Sequence, residues 1–292
     1  MTRMNEFYAA ENFDAVAYKE YLKQIKIEKN VLSYLVPEGN KILRSRLNDN
    51  RAFFDEISKL SYPPICCART DRASLEGKPM FYGSVFTHLN GEIVPPKVIN
   101  LIESSDFFKD KQAIGCQLLT QSAWMNSRPL KLAMFPTSLK YNIPCDEVRH
   151  IQEEFYNVAA SINMNLREAS LYIGDMFAMD NTKNTYNITA YAVDYLLNDT
   201  SDSAYFDGVI YPSVPSEGLG MNVCFRPSLI DSGVVQFLGA TVTLLIKDGM
   251  EAKLSHLFDC NVVGEGNLIW HKSDMLKKAY QNPLLFPDLL SL

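Results

Sequence analysis

The sequence predicts an α+β fold. Short apolar runs typical of strands mix irregularly with amphipathic stretches typical of helices, without the steady strand–helix–strand order of a doubly wound sheet. The 292 residues are 47% hydrophobic and 21% charged, an ordinary globular composition that supplies enough apolar surface for a large core. No internal repeat or low-complexity tract is present, which excludes a solenoid or a fibrous protein.

The chain begins with a segment of helical pattern. Apolar residues at helical spacing among lysines and glutamates predict an amphipathic helix over 13–35, which ends before Pro37 and Gly39. We therefore expect residues 1–40 to form an N-terminal helical extension and residues 41–292 to form the main domain.

The next elements are a strand, a loop and a second strand. Lys41–Leu47 predicts a strand on which Arg44 and Arg46 share one face, because strand side chains repeat every two residues. Residues 48–78 are polar and predict a loop, and residues 79–85 predict a short strand.

The rest of the chain predicts helices and strands in mixed order. Pro95 and Pro96 precede an apolar helical face over 97–108, since proline fits the first position of a helix. The later elements are expected, in chain order, as two strands within 112–135 joined by a turn at 126–129, helices over 145–165 and 184–198, and strands over 209–211, 221–226 and 234–246 with a hairpin turn at 247–250.

Charge and cysteine content narrow the classes of function. A net charge of −6 argues against a nucleic-acid-binding protein. Six cysteines and four histidines show no spacing typical of metal ligands, so no metal is expected. The N-terminus lacks an apolar signal segment, and the apolar tract 234–246 is too short to cross a bilayer. We expect reduced thiols, no membrane partner and a cytoplasmic location.

Arg72 and Tyr82 are candidate binding residues on either side of a turn. The fork of an arginine binds phosphate or carboxylate, and a tyrosine ring stacks on a planar heterocycle while its hydroxyl stays available. The structural alternative is that Arg72 is a solvated loop charge and Tyr82 a packing residue of its strand.

Glu103 and Ser213 are candidates for chemistry. Glu103 follows an apolar helical face, where a carboxylate can be partly desolvated and held in place. Glu92, beside a glycine-containing turn, is the alternative acid. Ser213 follows Tyr211 at the end of a strand, where it is either an oriented hydroxyl or an ordinary turn serine. A glycosidase would need a second carboxylate, for which the sequence offers no convincing position.

Four segments cover roughly residues 40–245 and read, in chain order, KILRSRL, YPPICCARTDRASLEGKPMFYGS, KVINLIES and DGVIYPSVPSEGLGMNVCF. In this order they resemble the RES-domain family, which is named for an arginine, a glutamate and a serine. Ser74 stands where the family usually has an asparagine, and the stretch between Tyr82 and the glutamate is longer than in the compact family form.

The resemblance implies an ADP-ribosyltransferase-like fold, in which a split mixed β-sheet surrounds an NAD cleft. It implies an enzyme that cleaves the nicotinamide–ribose bond of NAD, with NAD as substrate and no cofactor. Family members are typically toxins countered by an Xre-type antitoxin protein. The site residues it implies are Arg72, Tyr82, Glu103 and Ser213 for catalysis, with Arg44, Arg46 and Tyr211 for substrate binding. The alternative is a catalytically idle relative that binds a nucleotide or a protein.

Overall fold

A computed structural model describes residues 3–48, 52–141, 144–158, 163–182, 184–200, 206–263, 266–274 and 276–277. These residues contain helices and one large mixed β-sheet, so the predicted α+β class is confirmed.

The helices and the strands are numbered separately, each in chain order. The α-helices of the described residues are α1 (Arg3–Ala9), α2 (Ala15–Ile25), α3 (Pro96–Ser104), α4 (Asp106–Lys109), α5 (Asp146–Val158), α6 (Met164–Phe177), α7 (Thr185–Asp194), which a π-helical turn (Tyr195–Asp199) continues, and α8 (Ser228–Asp231). The strands are β1 (Leu32–Val36), β2 (Lys41–Leu47), β3 (Phe81–Val85), β4 (Thr87–Leu89), β5 (Glu92–Val94), β6 (Ile114–Asn126), β7 (Leu130–Met134), β8 (Gly208–Pro212), β9 (Met221–Phe225), β10 (Val235–Asp248), β11 (Glu251–Val263) and β12 (Asn267–Lys272).

Ten of these strands form one sheet. Their order is β1-β7-β8-β9-β3-β2-β6-β10-β11-β12, and β4 and β5 form a separate hairpin. Strands β7 and β8 pair in parallel, whereas the other described pairs of the sheet are antiparallel. The sheet is therefore mixed, and most of its neighbours are distant in sequence.

Strands β2 and β3 pair over a short stretch. They pair at two positions, Ile42 with Val85 and Leu43 with Ser84, whereas β2 pairs with β6 along its whole length. Beyond Leu43 the guanidinium of Arg44 donates to the Tyr82 carbonyl at 2.9 Å. The pairing of these two strands thus stops at Leu43 and Ser84, and a cavity opens between them.

Both faces of the sheet bury apolar side chains. Along β9, Cys224 packs into a core cluster with helices α1, α2, α6 and α7, while Val223 and Phe225 belong to a second cluster. The alternation follows from the two-residue period of a strand. The two clusters fix the β8–β9–β3 region from both sides.

The prediction of a helix over 13–35 is wrong for the second half of that range. Helix α2 ends at Ile25, Lys26 takes a left-handed conformation with φ of 55°, and Leu32–Val36 forms strand β1. β1 pairs with β7 in the large sheet, so the N-terminal segment contributes a sheet strand as well as helices. The division of the chain at residue 40 stays a prediction.

Other predicted elements are confirmed with changed bounds. The expected helix over 97–108 is two helices, because Ser105 ends α3 and its hydroxyl caps α4 by accepting from the Phe108 amide at 2.9 Å. The described residues of the loop over 48–78 hold short 3-10 turns and the isolated β-bridges Glu56–Asn267 and Leu75–Lys78, and residues 49–51 lie outside the described part. The strands predicted within 112–135 exist, but they are not neighbours in the sheet.

Several elements lie outside the predicted ranges. The helix predicted over 145–165 corresponds to α5, which spans Asp146–Val158, and residues 159–162 lie outside the described part. A separate helix, α6, begins at Met164, near the end of the predicted range. The hairpin turn predicted at 247–250 is confirmed, because it joins β10 to β11, whereas the hairpin of β4 and β5 and strand β12 were not expected from the sequence. Among the described helices, none is both long and apolar enough to cross a membrane.

Candidate functional site

The carboxylate of Glu103 lies beside the opening between β2 and β3. Helix α3 packs across β2 and presents Glu103 near its C-terminal end. Its Oε1 atom accepts a hydrogen bond from the Ser213 hydroxyl at 2.6 Å and another from Asn222 Nδ2 at 2.6 Å. Two neutral donors on one oxygen fix the orientation of the carboxylate.

Three buried polar side chains, here called the relay, support the Glu103 carboxylate: Asn100, Ser84 and Asn222. Asn100, one turn before Glu103 on α3, donates to the Leu43 carbonyl at 2.6 Å and to the Ser84 hydroxyl at 2.9 Å. Ser84 in turn donates to Asn222 Oδ1 at 2.8 Å. The side chains of the relay are at most 6% exposed, so each depends on its neighbour for its hydrogen bonds.

A small cavity of about 90 Å³ opens at this point of the sheet. Its lining comes from β2, β3, α3, β8 and β9, and consists of Arg44, Ser45, Tyr82, Gly83, Ser84, Asn100, Glu103, Ser104, Tyr211 and Asn222. Glu103 is the single acidic residue of that lining, so this cavity offers no facing pair of carboxylates for a glycosidase. Ligand sites for drug-sized molecules measure roughly 300–1,000 Å³, so the cavity accommodates one ring-sized part of a larger molecule.

Two tyrosines form the walls of the cavity. Tyr211 is 5% exposed, and its ring packs against Phe177 with centroids 5.1 Å apart. The Tyr82 hydroxyl donates to Ser74 Oγ at 3.0 Å and accepts from the Ala73 amide at 3.1 Å. Burial raises the pKa of Tyr82 and of Tyr211 well above the usual value, so both hydroxyls stay neutral.

Arg44 supplies the positive charge of the cavity. Besides its bond to the Tyr82 carbonyl, its guanidinium lies over the Phe81 ring, 5.5 Å from the centroid. Burial lowers the pKa of Arg44 to about 10, so it remains charged at neutral pH. Arg46, predicted to share its role, donates to the Lys59 carbonyl and stacks on Phe54, outside the cavity lining.

Arg72 is engaged by the main chain of the C-terminal end of α6. Its Nη1 atom donates to the carbonyls of Phe177 and Met179 at 2.8 Å each, and its guanidinium lies 5.1 Å from the Tyr186 ring centroid. Cationic side chains suit the last turn of a helix, whose carbonyls lack partners. Arg72 is therefore placed next to the cavity wall and not in its lining.

The alternative acid, Glu92, lies elsewhere. It is exposed on β5, in the hairpin that packs against helix α5. The Asp146 carboxylate accepts from the amides of Asn90 and Gly91 at the tip of that hairpin. Of the two acids considered from the sequence, Glu103 is the one at the cavity.

Ser213 also borders a second depression, of about 140 Å³. This depression is lined by Tyr141, Ala178, Pro212, Ser213, Val214, Glu217 and Gly218. The Ser213 hydroxyl is directed to Glu103, and its carbonyl accepts from the Gly218 amide at 2.9 Å. Ser213 thus connects the carboxylate at one cavity with the loop that shapes the other.

The sequence interpretation brought together Tyr82, Glu103, Ser213, Arg44 and Tyr211, and these residues meet at one place. It missed the relay of Asn100, Ser84 and Asn222. Asn100 could have been found, because it lies three residues before Glu103 and therefore on the same helix face.

No group of three or more potential metal ligands occurs within the described part of the chain. Comparison of the chain with family models, with curated proteins and with solved structures gave no match.

Proposed function

We propose that the protein is an NAD-consuming enzyme that cleaves the bond between nicotinamide and ribose, with the RES-type arrangement that the sequence resembles. The observation that carries the proposal is the position of Glu103, held by Ser213 and Asn222 at the cavity where β2 and β3 of the mixed sheet stop pairing. In the ADP-ribosyltransferase-like fold that the resemblance implies, the sheet is split around an NAD cleft, and we assign this cavity to that cleft.

Cleavage of the nicotinamide–ribose bond requires one well-placed carboxylate. Departure of nicotinamide leaves a ribose with oxocarbenium character, as in glycoside hydrolysis. Both hydrogen bonds to Glu103 fall on Oε1. Oε2 is then the oxygen to accept a bond from a ribose hydroxyl and stabilise the developing positive charge. A preorganised charge of this kind is worth several kcal/mol, roughly 10²–10³ in rate.

The other lining residues fit parts of the same substrate. Tyr211 and Tyr82 offer ring surfaces for nicotinamide, which matches the ring-sized cavity. Arg44 supplies positive charge for the ribose hydroxyls or the pyrophosphate. In this proposal Arg72 is a positioning residue, because it ties the loop that anchors the Tyr82 hydroxyl to helix α6.

The experiment is to incubate purified protein with NAD and follow free nicotinamide, with and without phosphate. The proposal expects release in at least one condition, and the products identify water or phosphate as the acceptor. A folded protein that releases no nicotinamide with water, phosphate or added protein as acceptor contradicts it.

We also propose that the activity is that of a toxin with an Xre-type antitoxin partner. This part rests on the family resemblance. Expression of the chain alone should then slow growth and lower cellular NAD, and co-expression of a small helix-turn-helix protein from the neighbouring gene should relieve both effects. Normal growth and NAD content during expression of an enzyme that is active in vitro would contradict the toxin role.

A catalytically idle binding module is the second candidate. The engagement of Arg72 by two main-chain carbonyls and the small cavity favour it. Calorimetry that detects NAD binding while no nicotinamide is released would support this candidate over the enzyme.

A further inference from the structure

Two adjacent cysteines lie exposed where the segment 68–78, here called the Arg72 loop, begins. The sulfur atoms of Cys66 and Cys67 are 3.7 Å apart. We propose that Cys66 and Cys67 form a reversible redox pair, which a peroxide closes to a disulfide between neighbouring residues. This inference does not depend on the proposed function.

The local backbone allows the two sulfurs to meet. Both residues end a 3-10 turn, Ile65–Cys67, in which the Cys67 amide donates to the Pro64 carbonyl at 2.9 Å. The side chains point into solvent, so rotation of the exposed sulfurs meets little packing resistance. A disulfide bond requires the sulfurs to approach to about 2.05 Å.

The resulting bond would be labile. Neighbouring Cα atoms are about 3.8 Å apart, which is less than the roughly 4.4–6.8 Å of most disulfides. Strained and exposed disulfides are easily reduced and are typical of regulatory rather than structural bonds. The pair is therefore suited to switching and unsuited to permanent cross-linking.

The chemistry balances with a peroxide as the oxidant. One thiolate attacks a peroxide oxygen, the oxygen–oxygen bond breaks, and a sulfenic acid and water form. The second thiol attacks the sulfenic sulfur, the sulfur–sulfur bond forms, and a second water leaves. Two thiols have then lost two electrons and two protons, and the peroxide has become two waters.

The pair is joined by hydrogen bonds to the candidate site. The Ala68 carbonyl, directly after Cys67, accepts from the Gly77 amide at 3.2 Å and closes the Arg72 loop. The Arg69 carbonyl accepts from Ser74 Oγ at 3.0 Å, and Ser74 accepts from the Tyr82 hydroxyl. The disulfide closes a ring that twists the 3-10 turn at residues 66–67. This twist moves the Ala68 and Arg69 carbonyls, which accept the hydrogen bonds that hold the Arg72 loop.

The test is peptide mass spectrometry of the reduced full chain, treated with hydrogen peroxide and then alkylated. Trypsin releases both cysteines in peptide 60–69. We expect this peptide to lose two hydrogen atoms and take no alkyl group, and dithiothreitol to restore two alkylation sites. Cys66→Ser and Cys67→Ser should each leave a sulfur that forms only a sulfenic acid or stays alkylatable. Cys116, also exposed, is the internal comparison.

Two results would overturn the proposal. One is a peptide 60–69 that keeps both alkyl groups after a peroxide dose that oxidises Cys116. The other is oxidation of each sulfur to a sulfinic acid, or cross-linking between chains, without the internal bond. Circular dichroism of each variant checks that the fold is intact.

Hydrogen exchange tests the link to the Arg72 loop. In the oxidised wild-type chain the Gly77 and Ala73 amides should exchange faster than in the reduced chain, whereas in oxidised Cys66→Ser they should not. Equal exchange in the oxidised and reduced wild-type chains would overturn the link.

Discussion

At the scale of single residues, the acid of the candidate site could be predicted and its supporting relay could not. Glu103 was preferred over Glu92 because an apolar helix holds it, and that helix does place Glu103 at the cavity. Ser84 and Asn222 face each other through the register of β3 and β9. A neutral serine or asparagine in a strand has no pattern of its own, so a contact between residues 138 positions apart gave no sequence signal.

A change at Asn222 tests whether the relay holds Glu103 in its active position. Asn222→Asp replaces the amide donor by a second carboxylate beside Oε1, and the two like charges repel each other. We expect Asn222→Asp to release nicotinamide roughly 10²–10³-fold more slowly than wild type, the range for loss of a preorganised catalytic group. Asn222→Ser shortens the side chain without adding charge and should lose less activity. Equal rates for Asn222→Asp and wild type would contradict the assignment.

A change at Arg72 tests its positioning role through stability. Arg72→Lys replaces the planar guanidinium by a shorter side chain, which weakens the bonds to the Phe177 and Met179 carbonyls and removes the guanidinium from the Tyr186 ring. We expect the free energy of unfolding to fall by about 1–3 kcal/mol in urea titrations. Arg69→Lys, at an exposed position in the same loop, is the matched control. Equal losses in both variants would indicate that Arg72 does not hold the loop.

At the scale of elements, periodicity located most segments but not always their type. Residues 13–25 do form a helix, but the apolar residues after Lys26 also fit helical spacing and extended the prediction too far. In the structure Leu32, Tyr34 and Val36 are at least partly buried while Ser33 and Leu35 are exposed, which is the two-residue period of a half-buried strand. The left-handed Lys26 is the local reason that the helix ends.

We predict that a side chain added at Gly83 disturbs the packing of β3 against β2. A Cβ added there would lie 2.6 Å from Ile42 Cγ2 and 2.9 Å from the Leu43 carbonyl. Gly83→Ala should therefore force the two strands apart and lower the free energy of unfolding by about 1–3 kcal/mol. Gly239→Ala is the control, because a Cβ on that strand glycine meets nothing within 4 Å. Thermal or urea unfolding of the pair decides, and equal stability would contradict the close approach.

At the scale of the whole molecule, the order of the strands in the sheet could not be predicted from the sequence. β1 pairs with β7 and β3 with β9, and each pair joins strands separated by a large part of the chain. Such pairings depend on the packing of both sheet faces and not on local pattern. The same packing ties the N-terminal helices to the main body, where Asp194 binds both Lys19 of α2 and Lys78 beside β3.

The Asp194 cluster predicts a pH dependence of stability. Burial would raise the pKa of Asp194, but hydrogen bonds led by those of Lys19 and Lys78 outweigh it and hold the pKa below 3.8. A carboxyl group with a lowered folded pKa stabilises the fold above its unfolded pKa and loses that contribution as the pH falls through the folded value.

Asp194→Asn should therefore be less stable than wild type at neutral pH, with a difference that shrinks as the pH drops below 3.8. Urea titrations across this range measure it. Asp106→Asn, at a side chain that is 98% exposed, should show little difference at any pH. A deficit for Asp194→Asn that is independent of pH would contradict the ionic account.

The most direct test of the central claim is the rate of nicotinamide release by Glu103→Gln, measured beside wild type and Glu92→Gln. Glutamine keeps the shape and the bonds from Ser213 and Asn222 to its carbonyl oxygen but removes the charge. We predict that Glu103→Gln releases nicotinamide at least about 10²-fold more slowly than wild type with an unchanged unfolding midpoint, and that Glu92→Gln is fully active. Full activity of Glu103→Gln, or loss of activity only in Glu92→Gln, would contradict the account.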